Sequence, residues 1–311
     1  MPNVLSPSLP ISSRRKNNMD RRRTWRKQFS LALALSPMLI VVLVAYIGSI
    51  LWTVRLSMTN SRLLPTDDFV GLLQYRRLFA NDHFYQSVIH LAMFGAVYII
   101  GCLVLGFLLA VFIDQQVRAE STLRAIFLLP HALSFVVTGV IWQWLFNPDF
   151  GIQQIVRDLG FGDFRFDWLV QSDRAIYAIA LAGVWQSAGL VMVILLAGIR
   201  GINEDLWKAA RVDGIPKWRY YTRIVLPLIQ PMVATALVLL VVATFKLYDL
   251  VVTMTHGGPG GATDVPATFI MDNLFERANV GRAMAAATML LLMAIVVLSP
   301  WIYLRTFKRK R

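Results

Sequence analysis

The sequence predicts an all-α integral membrane protein, and three features of the chain carry this prediction. Of its 311 residues, 57% are hydrophobic and only 16% are charged, whereas soluble domains carry about 25% charged residues. Six apolar runs follow one another, each long enough for a membrane-spanning helix. Lysine and arginine cluster at both ends of the chain and in alternate segments between the runs. We therefore expect six transmembrane helices with both termini on the same side of the membrane.

The apolar runs lie between two basic tails, residues 1–28 and 305–311, so residues 29–304 are expected to form one six-span domain. The runs are residues 29–54, 87–113, 125–146, 175–199, 226–255 and 283–304. The first run follows a basic segment, as the apolar part of a signal peptide does. It is too long for a signal peptide and no small-residue cleavage site follows it, so we expect it to remain as a span.

Two of the runs contain residues with a local structural meaning. Gly95, Gly101 and Gly106 in the second run have no side chain and allow a neighbouring helix to approach closely. Pro130 and His131 interrupt the third run. A proline inside a membrane helix is tolerated when other groups satisfy the freed carbonyl.

The distribution of basic residues predicts the orientation. With both termini in the cytoplasm, the inner segments hold 21 lysines and arginines and the outer segments hold 8. Such an excess is typical of cytoplasmic loops. The N- and C-termini are therefore predicted to be cytoplasmic, beside anionic membrane lipid. The net charge of +13 then needs no nucleic-acid partner.

A polar stretch between the fourth and fifth runs, residues 200–231, carries signals for two short helices. Asn203 is a favourable N-cap, and Glu204 lies in the first turn, where the helix dipole favours negative charge. Gly214 suits the left-handed conformation that ends many helices. Pro216 then suits the first turn of a second helix. The stretch predicts two short helices joined by a bend at the membrane surface.

The spacing within this stretch resembles a motif of ABC importer permeases. That motif reads E-A-A, three residues, G, nine residues, I-x-L-P, and it lies in the loop that these permeases present to their ATPase subunits. In this chain Lys208 stands where the family usually has glutamate. The resemblance implies an ATPase-coupling loop over residues 200–227. The residues it assigns to coupling are Glu204, Lys208, Ala209, Ala210, Asp213, Gly214, Ile224, Leu226 and Pro227.

Three further segments resemble the same family. They are Gly71-Leu72 with Tyr75, the run Phe127-Leu128-Leu129-Pro130, and Thr255-His256-Gly257-Gly258-Pro259 with Thr263. With the polar loop, the segments at Phe127 and Gly257 are most similar in sequence to its carbohydrate permeases of the maltose and glycerol-phosphate type. The resemblance implies the type I ABC importer permease fold. It also implies a role as one membrane subunit of a binding-protein-dependent sugar importer, with a glucose-like sugar or a glucoside favoured.

The resemblance implies partners as well. These are a second, similar permease subunit, two ATPase subunits that bind ATP and magnesium, and an extracytoplasmic sugar-binding protein, in the cytoplasmic (inner) membrane of a bacterium. No cofactor is expected on this chain and no catalytic role, because it has no GxxxxGK[ST] loop, no GxSxG and no HExxH. The single cysteine, Cys102, and four histidines without ligand spacing predict no metal site.

Polar residues inside the membrane runs are candidates for the substrate path. Lys246 and Asp249 are costly in a bilayer, by about 3 kcal/mol each on insertion scales, and at a spacing of three they would share one helix face. Two interpretations stay open, a polar lining of the path and a structural salt bridge. The other candidates are Trp185, Gln186, Ser187, Thr244 and Tyr248, whose aromatic, amide and hydroxyl groups suit a neutral polyol. The same residue types also anchor helices at membrane interfaces or join them to one another.

Two alternatives to an ABC permease belong to other classes. An ion-coupled secondary transporter of a small polar solute would have broken midplane helices and inverted repeats. No clear inverted repeat is visible in the sequence, and the polar stretch at 200–231 has no role in that hypothesis. A membrane scaffold without transport activity leaves Lys246 and Asp249 unexplained.

Overall fold

The computed structural model describes residues 35–115 and 117–308. The tail over residues 1–28 and the last three residues of the C-terminal tail lie outside the described residues. Contacts divide the chain into two compact units, Met1–Arg55 and Leu56–Arg311. The described part of the first unit belongs to helix α1 (Leu35–Ser57), and none of the most apolar residues of this helix is buried. All packing described below lies within the second unit.

The described residues are almost entirely helical and form no strand beyond one isolated bridge, between Thr59 and Phe69. After α1 the helices are α2 (Leu73–Phe79), α3 (Asp82–Asp114), α4 (Glu120–Ala132), α5 (Phe135–Leu145), α6 (Ile152–Asp158), α7 (Ala175–Arg200), α8 (Glu204–Val212), α9 (Lys217–Leu228), α10 (Gln230–Phe245), α11 (Asp249–Thr255), α12 (Pro266–Met271) and α13 (Val280–Lys308).

Six membrane spans fit these helices. Within the described residues, α1, α3, α7 and α13 are each long and apolar enough to cross a membrane. The pairs α4 with α5 and α9 with α10 pass the same test when each pair is taken together. If each bent pair is one span, the prediction of six spans is met.

Helix α7 lies at the centre of the bundle, because small residues let its neighbours approach. The three glycines predicted to allow close packing do so along α3. Their contacts pair Gly101 with Val184, Gly106 with Val191 and Gly95 with Thr244. On another side of α7, Gly189 faces the backbone of α4 so closely that a Cβ would overlap the carbonyl oxygen of Phe127. Any side chain at Gly189 would therefore push α4 away.

The predicted third span is sharply bent, which corrects the expectation of one interrupted helix over residues 125–146. Helix α5 leaves α4 at an angle of 97°. The bend lies at Leu133 and Ser134, beyond Pro130, which stays inside α4. The Oγ of Ser134 accepts a hydrogen bond of 3.2 Å from the N–H of Val137 and so caps the new helix.

The predicted fifth span, residues 226–255, is broken twice and also differs from the expectation of one helix. Helix α10 leaves α9 at an angle of 75°. Pro231 lies in the first turn of α10, where its missing N–H costs nothing. A second break, Lys246 to Tyr248, separates α10 from α11. Lys246 therefore follows the end of α10 and Asp249 begins α11, whereas one continuous helix was predicted to hold both.

Candidate functional site

The polar loop, residues 200–227, folds as two short helices with the predicted boundaries. The Oδ1 of Asn203 accepts a hydrogen bond of 3.0 Å from the N–H of Asp205 and caps α8. Gly214 ends the helix with a φ of +68°. The N–H of Ile215 then donates to the carbonyl of Ala210 over 2.9 Å, which satisfies a carbonyl at the end of the helix. The bend between the helices is thus set by local hydrogen bonds.

Helix α8 has one face turned towards its own chain and one face turned outwards. Ala210 is only 3% exposed, and the ring of Trp207 meets that of Tyr220 edge to face at 4.8 Å. Leu206 and Ala209 lie on the outward face, together with Val212, which is 88% exposed. The two alanines of the motif therefore face different surroundings, and only Ala209 is free to meet another molecule.

The second half of the motif also has buried and exposed positions. Leu226 and Pro227 are exposed and Ile224 is half-buried, whereas Val225, the variable position of the motif, is fully buried. A π-helical turn, Tyr221–Val225, produces this arrangement by changing the register of side chains along α9.

Three polar contacts join the loop and the adjoining end of α7 to α3 and α4. The hydroxyl of Tyr221 donates to the Oδ2 of Asp114 over 2.7 Å, and the Nζ of Lys217 donates to the side chain of Gln115 over 3.3 Å. At the end of α7, the guanidinium of Arg200 lies 2.8 Å from the carboxylate of Glu120. Asp114, Gln115 and Glu120 were not singled out in the sequence, since more than 75 residues separate each of them from its partner.

A polar cleft of about 790 Å³ lies between these contacts. Its lining includes Asp114, Glu120, Arg200, Trp207 and Tyr221. The residues of all three polar contacts line the cleft, together with residues of α8.

The remaining charged residues of the loop are exposed. Lys208 lies 3.1 Å from Asp205, one turn earlier on α8, with both side chains in solvent. Glu204 and Asp213 are also exposed. An exposed pair of this kind contributes at most about 1 kcal/mol. The departure from the family motif at Lys208 therefore has little structural consequence within this chain.

The candidates for the substrate path in α7 and α10 point into the bundle. The Nε2 of Gln186 donates to the carbonyl of Leu133 over 2.9 Å and so satisfies a carbonyl freed by the α4–α5 bend. The hydroxyl of Ser187 accepts from that of Tyr98 over 2.8 Å. Two further candidates, Trp185 and Thr244, are half-buried and buried, and they contact the ring of Trp142 and the carbonyl of Leu240.

The break between α10 and α11 brings three path candidates to one place. Lys246 follows the last residue of α10, and Asp249 is the first residue of α11. Tyr248 adopts φ −143° and ψ −63°, so the chain turns between them. Both charged side chains are exposed, and among the described residues neither forms an ion pair. The expectation that the two residues share one helix face is wrong, because no continuous helix connects them.

A small cavity adjoins this break. Its free volume is about 20 Å³, enough for about one water molecule. The aromatic rings of Phe94, Tyr98 and Phe135 line it together with Lys246 and Asp249. Charged and aromatic groups thus meet at one point on the surface of the bundle.

The motif Thr255 to Thr263 forms a tight turn after α11. The two threonine hydroxyls lie 2.7 Å apart, and that of Thr263 donates to the carbonyl of Gly258 over 2.8 Å. The threonine spacing thus serves to close the turn. Asp264 follows it, and burial raises the pKa of its carboxyl, with Asp272 adding a smaller effect in the same direction.

Four candidate membrane spans, or six when each bent pair is one span, and a structured polar loop between two of them are the arrangement of a membrane transport permease. Residues 102–311 match the family described as the binding-protein-dependent transport system inner membrane component. The chain belongs to this family, the permease subunits of ABC importers, and within it to the carbohydrate permeases. Members of the family are not catalytic, since ATP is hydrolysed by separate subunits.

Relatives and solved structures agree with this assignment. The chain is 37% identical over 273 residues to a probable ABC transporter permease protein of Pyrococcus horikoshii, over 87% of this chain and 94% of that protein. It is 34% identical over 272 residues to the xylose/arabinose import permease protein XacH of Haloferax volcanii, over 85% and 84%. Its fold matches a chain of a bacterial alginate ABC transporter in complex with an alginate pentasaccharide-bound periplasmic protein, with a TM-score of 0.79, 21% identity and coverage of 91% and 96%.

Proposed function

We propose that this chain is one of two similar membrane subunits of an ATP-driven importer, through which a neutral sugar enters the cell. A glucose-like sugar or a glucoside is the first class of cargo to test. The observation that carries the proposal is the polar loop. It has a fixed bend, an outward apolar face and hydrogen bonds that tie it to other helices. A connector between two spans needs none of these.

The outward face of α8 is proposed to dock in a cleft of an ATPase subunit. Leu206, Ala209 and Val212 follow one another at a spacing of three and form an exposed apolar stripe. Glu204 and Asp213 lie exposed at the two ends of the helix. A short helix of this shape, seated in a groove, is a common mode of recognition between proteins.

Movement of α8 is proposed to reach the membrane spans through the contacts on its inner side. Ala210 is buried in the core of the chain, and Trp207 packs on Tyr220 of α9. The bond from Tyr221 to Asp114 then connects α9 to α3, and the pair of Arg200 with Glu120 connects α7 to α4. A displacement of the loop would therefore act on four helices together.

The loop and both termini are proposed to lie in the cytoplasm, with the multi-pass chain in the inner membrane of a bacterium. The excess of basic residues, 21 against 8, supports this orientation. Labelling of single cysteines in intact cells tests it. Trp207→Cys should react only after the membrane is permeabilised, and Asp163→Cys should react without that step. Labelling of residue 207 from outside would overturn the orientation.

The sugar path is proposed to pass the break at Lys246, Tyr248 and Asp249. Lys246 and Asp249 are exposed and form no ion pair within the described part of the chain, so their polar groups can meet sugar hydroxyls, and the aromatic rings beside them suit sugar faces. Trp185, Gln186, Ser187 and Thr244 then act behind this surface. They hold the bends and helix contacts that shape the path.

Reconstitution of the whole transporter tests the proposal. The permease should copurify with a second permease and two ATPase subunits that bind ATP and magnesium. ATP hydrolysis should then rise when a loaded extracytoplasmic binding protein and its sugar are added. A panel of glucose, glucosides, pentoses and uncharged polyols identifies the cargo. Uptake that needs an ion gradient and no ATPase subunit would instead indicate an ion-coupled secondary transporter.

A further inference from the structure

Helix α6 and the residue that follows it show an amphipathic pattern, but its most exposed side is apolar. When the sequence is placed on a helix, one arc of about 100° is wholly apolar and the opposite arc is wholly polar. The apolar residues are Ile152, Ile155, Val156 and Leu159, and the polar residues are Gln153, Gln154, Arg157 and Asp158. On the surface of a soluble protein the apolar arc would face the core.

One side of the polar arc, at Gln153 and Arg157, binds the rest of the chain. The N–H of Phe166 donates to the side chain of Gln153 over 2.6 Å, and Gln153 is buried. One helical turn later, the Nε of Arg157 donates to the carbonyl of Phe164 over 2.9 Å. These two bonds hold the segment from residue 163 to residue 167 against α6. They also fix the rotation of α6 about its own axis.

One side of the apolar arc, at Ile155 and Leu159, is turned outwards, whereas Ile152 and Val156 are half-buried. Ile155 is 57% exposed and Leu159 is 73% exposed. Three large aromatic side chains nearby in the chain are exposed as well, namely Trp144, Phe150 and Phe161. Several large exposed apolar side chains within one short stretch of the chain mark a place where something else binds.

Continuity with the membrane-spanning part of the chain identifies what covers this surface. Helix α5 belongs to a bent pair that qualifies as a membrane span, and its apolar residues Val136 and Val137 are exposed. Trp144 lies at the end of α5, and six residues separate α5 from α6. Exposed aromatic residues at such a position are typical of the belt where a membrane meets water.

The charges around α6 agree with this placement. Arg157, the basic residue of the helix, is bonded on the inner side. Asp163, Arg165 and Asp167 lie on the segment that covers the polar arc. Apart from Asp158, which is exposed in the last turn, the charged residues lie on or beyond the polar side of the helix and the apolar residues on the opposite side, as in a helix that lies in the plane of a membrane interface.

We propose that α6 lies in the interfacial zone of the bilayer where α5 ends, with Ile155 and Leu159 directed into the acyl chains. The helix would hold the outer loop, residues 147–174, at a constant depth and so support the α4–α5 bend beneath it. This proposal rests on the membrane location of the chain. It does not depend on the roles proposed for the polar loop or the sugar path.

Fluorescence quenching in the complete transporter, reconstituted in lipid nanodiscs, tests the proposal. Cys102 is first replaced by alanine, since it is the one cysteine of the chain. Leu159→Cys and, separately, Ile155→Cys then carry an environment-sensitive label. Asp163→Cys, on the charged segment, is the matched control. Quenchers are a lipid with a nitroxide high on its acyl chain and aqueous iodide.

The labels at 155 and 159 should be quenched by the nitroxide lipid at least about twice as strongly as the label at 163, and iodide should show the opposite order. Equal iodide quenching at 159 and 163 would overturn the proposal, because the helix would then face water. Protection from iodide without quenching by lipid would overturn it as well, since a protein surface would then cover α6.

Discussion

The two breaks in the predicted fifth span differ in how their polar groups are bonded. At the bend between α9 and α10, the polar groups of the neighbouring loop are tied to distant parts of the chain, as in the bond of Tyr221 to Asp114. At the break between α10 and α11, Lys246 and Asp249 are exposed and form no ion pair with the described residues. Bonded groups transmit movement, whereas unbonded groups are available to a ligand. On this comparison we propose coupling for the first region and solute contact for the second.

The largest effect is expected from Ala210→Asp, which tests whether the first region is held from within. A carboxylate at this buried position has no partner, and an unpaired buried charge costs about 3–5 kcal/mol. We expect a lower melting temperature, proteolysis within residues 200–227 and complete loss of uptake. Thermal unfolding of the purified transporter measures the first effect.

Ala209→Asp is the matched control, because Ala209 is exposed on the same helix. It should leave the melting temperature unchanged and weaken copurification of the ATPase subunits. Equal stability of the two variants would show that the loop is not anchored through Ala210.

A smaller effect is expected from Tyr221→Phe and from Asp114→Ala, which break one transmitting contact. A hydrogen bond to a charged group contributes about 1.5–3 kcal/mol. If that energy couples the loop to α3, uptake should fall about tenfold while the ATPase subunits still copurify. Sugar uptake and ATP hydrolysis by the same preparation measure the two activities.

The double variant should be no worse than either single variant, because both remove the same bond. Thr222→Val, at an exposed position beside Tyr221, should have no effect. Additive losses in the double variant would separate the two residues and contradict a shared role.

A still smaller change in stability is expected from Lys246→Met and from Asp249→Asn. Exposed residues that form no ion pair with the described part of the chain contribute little to folding. The free energy of unfolding should therefore change by no more than about 0.5 kcal/mol, which is a small shift in melting temperature. Uptake should nevertheless fall if these groups contact the sugar. The double variant should not recover any activity. Destabilised single variants with a restored double variant would instead indicate a salt bridge in the assembled transporter.

The smallest effect is expected from Lys208→Glu, which introduces the usual family residue. The exposed pair of Lys208 with Asp205 contributes at most about 1 kcal/mol. The melting temperature should be unchanged. Copurification of the ATPase subunits and sugar uptake should each stay within about twofold of the unchanged protein. A large gain in ATPase binding would show that residue 208 contacts the ATPase directly.

Local patterns in the sequence determined the unbroken fourth span and the first helix of the polar loop. The run at residues 175–199 matches α7, which ends one residue later, because a long apolar segment without proline stays helical in a membrane. Asn203 and Gly214 bound α8 as predicted, since caps act on backbone groups within a few residues. The resemblance of the polar loop and three further segments to known permeases predicted the family correctly.

Only the tertiary structure decided which of these residues meet. The contact of Tyr221 with Asp114 joins residues 107 positions apart, and no spacing rule reaches that distance. The break at Lys246 separates two charges that an unbroken helix would pair. The opposite surroundings of Ala209 and Ala210 follow from packing against α9. The physical reason is common to all three. Periodicity states how side chains are arranged around one helix, whereas contacts depend on where other helices lie and where the chain bends.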